Sequence, residues 1–375
     1  MPLFLNDEQT MLRDTARDFV GEHAPVAHLR RLRDGADATG FDRGLWKSFA
    51  EMGFTGILIG EADGGLGLGH VEAGVVLEEI GRNLSPSPFL TTAVAAVAAL
   101  DGTAHAARWF PGIVAGDTVA ALAIDEGPKH RDSIGLSAER AGNGFRLNGA
   151  KQFVTHGHVA DLLIVAARTA GSADDAAGVT LFAVPAGAAG LTATPERLAD
   201  ASIAARLTFE GVEVDADAVI GEVDAGRTPL DRLLRAGRTG AAAELLGVGG
   251  GAMDLTVDYL RQRKQFGVAI GSFQALQHRA AHLYAEMEIA RAAVLKAQQL
   301  LDAGDAGADD AASVAKAMTG LATTLSVQEG VQMHGGIGMS DEYDIGFFMK
   351  RARVLAEMFG DAYFHADRLA VRSGY

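Results

Sequence analysis

Apolar and polar positions follow three different rhythms along this chain. From residue 6 to about 116 the spacing is helical: Met11, Leu12, Ala16, Phe19 and Val20 recur at steps that gather them on one face. Asn6 and Gln9 stand where a capping pair would open that helix. The run Gly64-Gly65-Leu66-Gly67 breaks the pattern, and Val71 to Ile80 resumes it with Glu78 and Glu79 alongside. Between about 118 and 221 the rhythm shortens, and strands are predicted at 145–147, 151–155, 162–167, 179–184 and 207–209. AGNG at 141–144 and Asn148-Gly149 read as hairpin turns, and AGSADDAAG at 170–178 as an exposed, flexible tip. Strands this short and closely spaced predict a small barrel or sandwich. From about 228 the helical period returns over 229–265, 272–302, 309–334 and 343–370, which predicts a four-helix bundle. Gly247 and Gly249-Gly250-Gly251 fall inside the first of these helices, where each glycine costs about 1 kcal/mol relative to alanine. Close approach by a neighbouring helix or by a ligand would offset that cost, and helix packing is the simpler reading.

Length fits this partition, because 375 residues exceed what one hydrophobic core usually organises. The expected class is α+β, with a helical domain over 1–117, a central β-barrel or sandwich domain over 118–227 and a four-helix bundle over 228–375. A formal charge of −15 argues against nucleic acid as a partner, since phosphate binding needs a surplus of Lys and Arg. The chain has no cysteine, which removes disulfides, thiolate metal sites and cysteine nucleophiles. Charges begin at Asp7, so no apolar stretch of signal-peptide length opens the chain, and the weakly polar run from Phe89 to Leu100 is too short to span a bilayer. A cytoplasmic protein with no membrane partner is expected.

Two stretches carry the chemistry: YLRQRKQFGVAIGSFQ at 259–274 and QMHGGIG at 332–338. With GGLGLGHVEAGVVLEEIGR (64–82), NGAKQFVTHG (148–157) and LTFEGVEVDADAVIG (207–221), they make five segments in an order that resembles the acyl-CoA dehydrogenase family over nearly the whole chain. The resemblance implies FAD as cofactor, an acyl-CoA thioester as substrate and an electron-transfer flavoprotein as electron acceptor. It also implies that Arg263, Phe266, Gln274, Gln332, Gly335 and Gly336 grip the adenosine diphosphate half of a flavin held by the neighbouring subunit. Phe153 and Thr155 correspond to the aromatic and hydroxyl groups that touch the flavin ring, and Arg238 to an arginine close to the substrate.

Dehydrogenating an acyl thioester needs a base for the α-proton while a hydride leaves the β-carbon. The family's base position, counted from Gln332, falls on Phe359 in MFGDAY, and its alternative position falls on Gly237. Glu244, seven residues after Gly237 on the same helical face, and Asp361 are the carboxylates that could substitute. The family's flavin loop also departs: DEGPKHRD at 125–132 keeps Glu126 and Asp132 but places Lys129, His130 and Arg131 where small residues are usual. His334 and His365 read as structural histidines.

The half of the flavin site offered to a neighbour is thus intact in sequence, whereas the half used for the chain's own flavin is altered. The expected role is the base-less subunit of a hetero-oligomeric acyl-CoA dehydrogenase acting on fatty acyl or steroid side-chain thioesters. A self-sufficient homo-oligomer with a relocated base, a non-catalytic binding relative, and a flavin monooxygenase or oxidase on the same fold are the alternatives.

Overall fold

A computed structural model describes residues 2–375. The chain opens with α1 (Asp7–His23), α2 (Val26–Asp34), α3 (Arg43–Glu51) and α4 (His70–Arg82). A π-helical stretch, Leu90–Ala96, runs into α5 (Val97–Leu100), and α6 (His105–Val114) closes the helical region. The strands are β1 (Ala120–Ala123), β2 (Ser137–Ala141), β3 (Gly144–Thr155), β4 (Leu162–Arg168), β5 (Val179–Pro185), β6 (Leu191–Arg197), β7 (Ile203–Val214) and β8 (Val219–Ile220). Then follow α7 (Arg227–Gln262), a short hairpin of β9 (Lys264–Gln265) and β10 (Val268–Ala269), α8 (Gln274–Asp302), α9 (Ala308–His334), α10 (Ile345–Glu357) and α11 (Ala362–Arg372). The predicted order of a helical region, a β region and a helical bundle holds.

Contacts divide the chain into two compact units, and the division falls within α7, between Gly237 and Arg238. One unit takes residues up to Arg31, His70–Ser85 and Arg238–Tyr375; the other takes Leu32–Gly69 and Pro86–Gly237.

In the second unit the sheet runs β6-β7-β3-β2-β4-β5-β8, with β1 parallel to β4. Strand β4 is buried along its whole length, so its run LLIVAAR shows no alternation. Phe145, Leu147, Leu163, Val165, Phe182 and Leu207 share one core, and each contributes about 1.5–3 kcal/mol relative to exposure. Two expectations are corrected here. The runs 145–147 and 151–155 belong to one strand, β3, and Asn148-Gly149 forms no turn; it lies at a register shift, where Asn148 Oδ1 accepts from the Gly211 amide at 2.7 Å. AGNG does make the β2–β3 turn. The segment 170–178 is exposed apart from Gly178, but it is organised rather than loose. Arg168 donates to the carbonyls of Ala173 (2.8 Å), Asp175 (3.0 Å) and Ala177 (2.6 Å), and to that of Ile134 (3.1 Å).

In the first unit, Asn6 and Gln9 form the reciprocal capping pair that starts α1. Helices α4 and α7 touch backbone to backbone. A Cβ on Gly81 would stand 2.1 Å from Glu244 O, and one on Gly247 would stand 1.9 Å from Glu78 O. The α7 glycines therefore serve helix packing. The predicted helix over 343–370 is instead two, α10 and α11, parted at 358–361 by a turn with positive φ at Phe359 and Gly360. Among the described residues no helix is long and apolar enough to cross a membrane.

Candidate active site

The turn between α10 and α11 is the place where the resemblance puts a catalytic carboxylate. Phe359 holds φ +61° there, a left-handed conformation that costs a non-glycine residue about 1–2 kcal/mol, and Gly360 follows at +103°. The phenylalanine is 4% exposed. Three helices serve this turn. Asp361 caps α11 by accepting from the Phe364 amide at 2.8 Å. Arg238 of α7, buried at 2% exposure, directs Nε to Phe359 O at 3.4 Å and lies 3.9 Å from Asp309 Oδ1. Lys316 of α9 donates to Ala356 O at 2.9 Å and to Gly360 O at 3.0 Å. Burial pushes its ammonium down to about 7, against the pull of Glu357 and Asp361.

Neither substitute carboxylate stands unengaged. Glu244 is 3% exposed, and its Oε1 accepts from Arg351 Nε at 3.0 Å and Nη2 at 2.5 Å. Asp361 is the helix cap just described. His334 is buried, donates Nδ1–H to Gly330 O at 2.7 Å and packs between the rings of Tyr259 and Tyr343; burial pushes its pKa down. His365 is fully buried on α11.

A second cluster forms where α7 ends, α8 begins and α9 ends, tied together by Leu260, Ile270, Leu283 and Met333. Arg263 is exposed there, and its guanidinium meets no carboxylate or other acceptor among the described residues. Phe266 is 90% exposed at φ +54°, a large apolar side chain held in water by a strained backbone. Gln274, Gln332, Gly335 and Gly336 are exposed as well, and both glycines face open space where a side chain would project. An unpaired cation, two amides, an open glycine pair and an outward ring fit the pyrophosphate and nucleoside of a dinucleotide.

In the second unit, Phe153 sits at the β3 irregularity with φ +54° and 44% exposure, two residues before half-buried Thr155. The loop at 125–132 turns Glu126 and His130 toward partners within the protein. Glu126 accepts from the Gly135 and Leu136 amides and from Lys151 Nζ at 2.7 Å, while His130 hydrogen-bonds Asp125 at 2.7 Å. Lys151 is fully buried, and burial pushes its ammonium below the usual range despite Glu126. Asp132 lies 3.6 Å from Arg227. Phe153 and Thr155, which the resemblance assigns to the flavin ring, are thus open to a ligand, whereas Glu126 of the loop is engaged within the protein.

Three family profiles match in succession: "Acyl-CoA dehydrogenase, N-terminal domain" over residues 6–117, "middle domain" over 131–212 and "C-terminal domain" over 224–373. The mitochondrial isovaleryl-CoA dehydrogenase of Pongo abelii is 32% identical over 364 residues, covering 93% of this chain and 85% of that protein. The chain belongs to the acyl-CoA dehydrogenase family. Two solved structures support the same placement. The Tcur3481-Tcur3483 steroid ACAD, solved as a variant, has TM-score 0.88 and 32% identity, with 98% of each chain covered. The ChsE4-ChsE5 complex from Mycobacterium tuberculosis has TM-score 0.89 and 26% identity, covering 100% of this chain and 99% of that one.

Lys316, Arg351 and Lys151 adjoin the candidate residues through hydrogen bonds, and none of the sequence motifs assigns them a role. Lys316 had left a signal, a lone cation within the apolar stripe of SVAKAMTG. Arg351 had left none, because its partner lies 107 residues away.

Proposed function

We propose that this chain is the base-less subunit of a hetero-oligomeric, FAD-dependent acyl-CoA dehydrogenase. The turn at Phe359 carries the reading: a phenyl ring stands where the family's carboxylate is expected, and the two candidate substitutes, Glu244 and Asp361, are already engaged by Arg351 and by the Phe364 amide. Bound FAD would accept the hydride from the β-carbon. Arg263 would meet the pyrophosphate of a flavin held by the neighbouring subunit, with Gln274, Gln332, Phe266 and the Gly335-Gly336 pair around its adenosine. Phe153 would shield a flavin ring from water, and the Thr155 hydroxyl would donate to it. The α-proton of the acyl thioester then passes to a carboxylate on the partner, because Phe359 cannot take it.

Two similar proteins, the Tcur3481-Tcur3483 steroid ACAD and the ChsE4-ChsE5 complex, carry paired names, which supports a paired assembly here. The first also favours a bulky acyl group over a short one. An electron-transfer flavoprotein is the electron acceptor, and the cytoplasm the compartment.

The test is anaerobic flavin bleaching by a panel of acyl-CoA thioesters. The chain purified alone should bleach slowly or not at all, since loss of a positioned base removes about 10²–10⁴-fold. Co-expression with a family subunit that carries the glutamate should give rapid bleaching, with fewer flavins than subunits. Rapid bleaching by this chain alone would overturn the subunit role and favour a relocated base.

A further inference from the structure

The side chain at 359 is placed by a device that does not depend on what that side chain is. The carbonyls of Ala356, Phe359 and Gly360 bracket the turn, and two buried cations from two other helices take all three. Lys316 is the less expected of the two. It is 1% exposed, it makes no ion pair among the described residues, and its two hydrogen bonds there both go to backbone carbonyls on either side of Phe359. An ammonium group buried without a carboxylate partner is costly, and here the cost shows as a pKa pushed down to about 7. A methionine would fill the same space without that cost. What the lysine adds is a pair of directed hydrogen bonds, one to the last turn of α10 and one to Gly360, the second of the two positive-φ residues. A phenylalanine at φ +61° holds that conformation only when its surroundings over-determine it.

We propose that Lys316 is a positioning residue, which by holding the Ala356 and Gly360 carbonyls fixes the turn at 356–360 and with it the place of the side chain at 359. The proposal rests on the reading that residue 359 occupies the family's base position. Lys316 is not itself the base, because its Nζ is turned to main-chain carbonyls and the residue is only 1% exposed, out of reach of a substrate proton. The competing account is that Lys316 merely caps the C-terminus of α10, where a cation is favourable in any case. A cap would stabilise α10 as a whole, whereas a positioning residue acts on the turn and leaves the helix body in place.

The two accounts separate by ¹⁹F NMR of the full chain carrying 4-fluorophenylalanine either at Phe359 or at Phe348, which is buried in the body of α10. In Lys316→Met the Phe359 resonance should move beyond its linewidth or split, while the Phe348 resonance and the far-UV ellipticity stay as they were. Lys316→Gln, which keeps a donor without the charge, should bring the Phe359 resonance part of the way back. An unmoved Phe359 resonance in either variant overturns the proposal. So does a Lys316→Met chain that fails to fold or in which both resonances move together, since either outcome assigns the lysine to general stability. No flavin, thioester or partner enters the measurement. Failure here leaves the dehydrogenase reading intact, and a failed bleaching assay leaves this one intact.

Discussion

Arg351 grips Glu244 through two nitrogens, Nε at 3.0 Å and Nη2 at 2.5 Å, both on the same carboxylate oxygen. Helices α7 and α10 supply the two partners, so this ion pair links the helix of the family's alternative base position to the helix that leads into the Phe359 turn. With the glutamate buried and the arginine half-buried, the pair is a structural tie first. Glu244→Gln should lower unfolding stability by about 1–3 kcal/mol, because it leaves the arginine short of a charged acceptor. Any bleaching shown by the chain alone should be unaffected. Denaturant unfolding measures the first, and a bleaching rate that collapses in this variant would make Glu244 the base.

Arg263→Ala should strip FAD from the assembled oligomer or loosen the assembly. The guanidinium has no partner among the described residues of its own chain, so its removal costs the isolated subunit little. Flavin content per subunit and sedimentation both report on this, and a variant with full flavin content and unchanged sedimentation would count against the donated site.

Glu126→Gln should destabilise the chain by about 3 kcal/mol or more, since it leaves Lys151 buried without its charged partner. Lys151→Met with Glu126→Gln should recover much of that loss, because removing both charges also removes the uncompensated one. Chemical denaturation of the two variants side by side checks the order.

His334 sets an acid limb. Burial lowers its folded-state pKa below the ordinary histidine value of about 6.5, so the unfolded chain takes up the proton first. Stability is therefore full above pH 6.5 and declines as the pH falls through that value, until the folded-state pKa is passed. His334→Phe, which keeps a ring between Tyr259 and Tyr343, should flatten this decline. An unchanged slope of stability against pH between 6.5 and 5 would contradict the assignment.

Phe359→Glu alone should not restore rapid bleaching to the isolated chain. The turn would still present residue 359 as before, but Glu126 and His130 remain engaged inside the loop that would have to hold the chain's own flavin. Full recovery in this single variant would show that loop to be competent.

Local pattern, in apolar spacing and capping residues, revealed the order of regions, the α1 cap and four of the eight strands of the large sheet (β3, β4, β5 and β7), because each depends on residues a few positions apart. It misplaced Asn148-Gly149, a pair that favours a two-residue turn in isolation but here meets the Gly211 amide across the sheet, sixty-three residues on. It also ran one helix through Phe359, since MFGDAYF has no proline and its apolar spacing continues. The break falls at Gly360 and the Asp361 cap, local signals that the apolar spacing outweighed, and Arg238 and Lys316, 121 and 44 residues away in the chain, meet the carbonyls of the turn. Motifs reached the residues of the dinucleotide cluster, but not the lysine behind the turn, whose role exists only once α9 and α10 lie together.

The segment from 170 to 178 has no apolar core; its centre is the guanidinium of Arg168, surrounded by main-chain oxygens. Because the guanidinium binds carbonyls and no side chain of the segment, it places a demand on how many residues there are; identity matters chiefly at Gly171, with φ +74°, and at Asp175, whose Oδ2 accepts from the Ser172 amide at 2.7 Å. Elsewhere the tip is therefore free to drift in sequence, and it is locked in length. A library over 170–177 should accept most exposed substitutions, while deletion of any one residue, or Arg168→Lys with its single nitrogen, should unravel the loop.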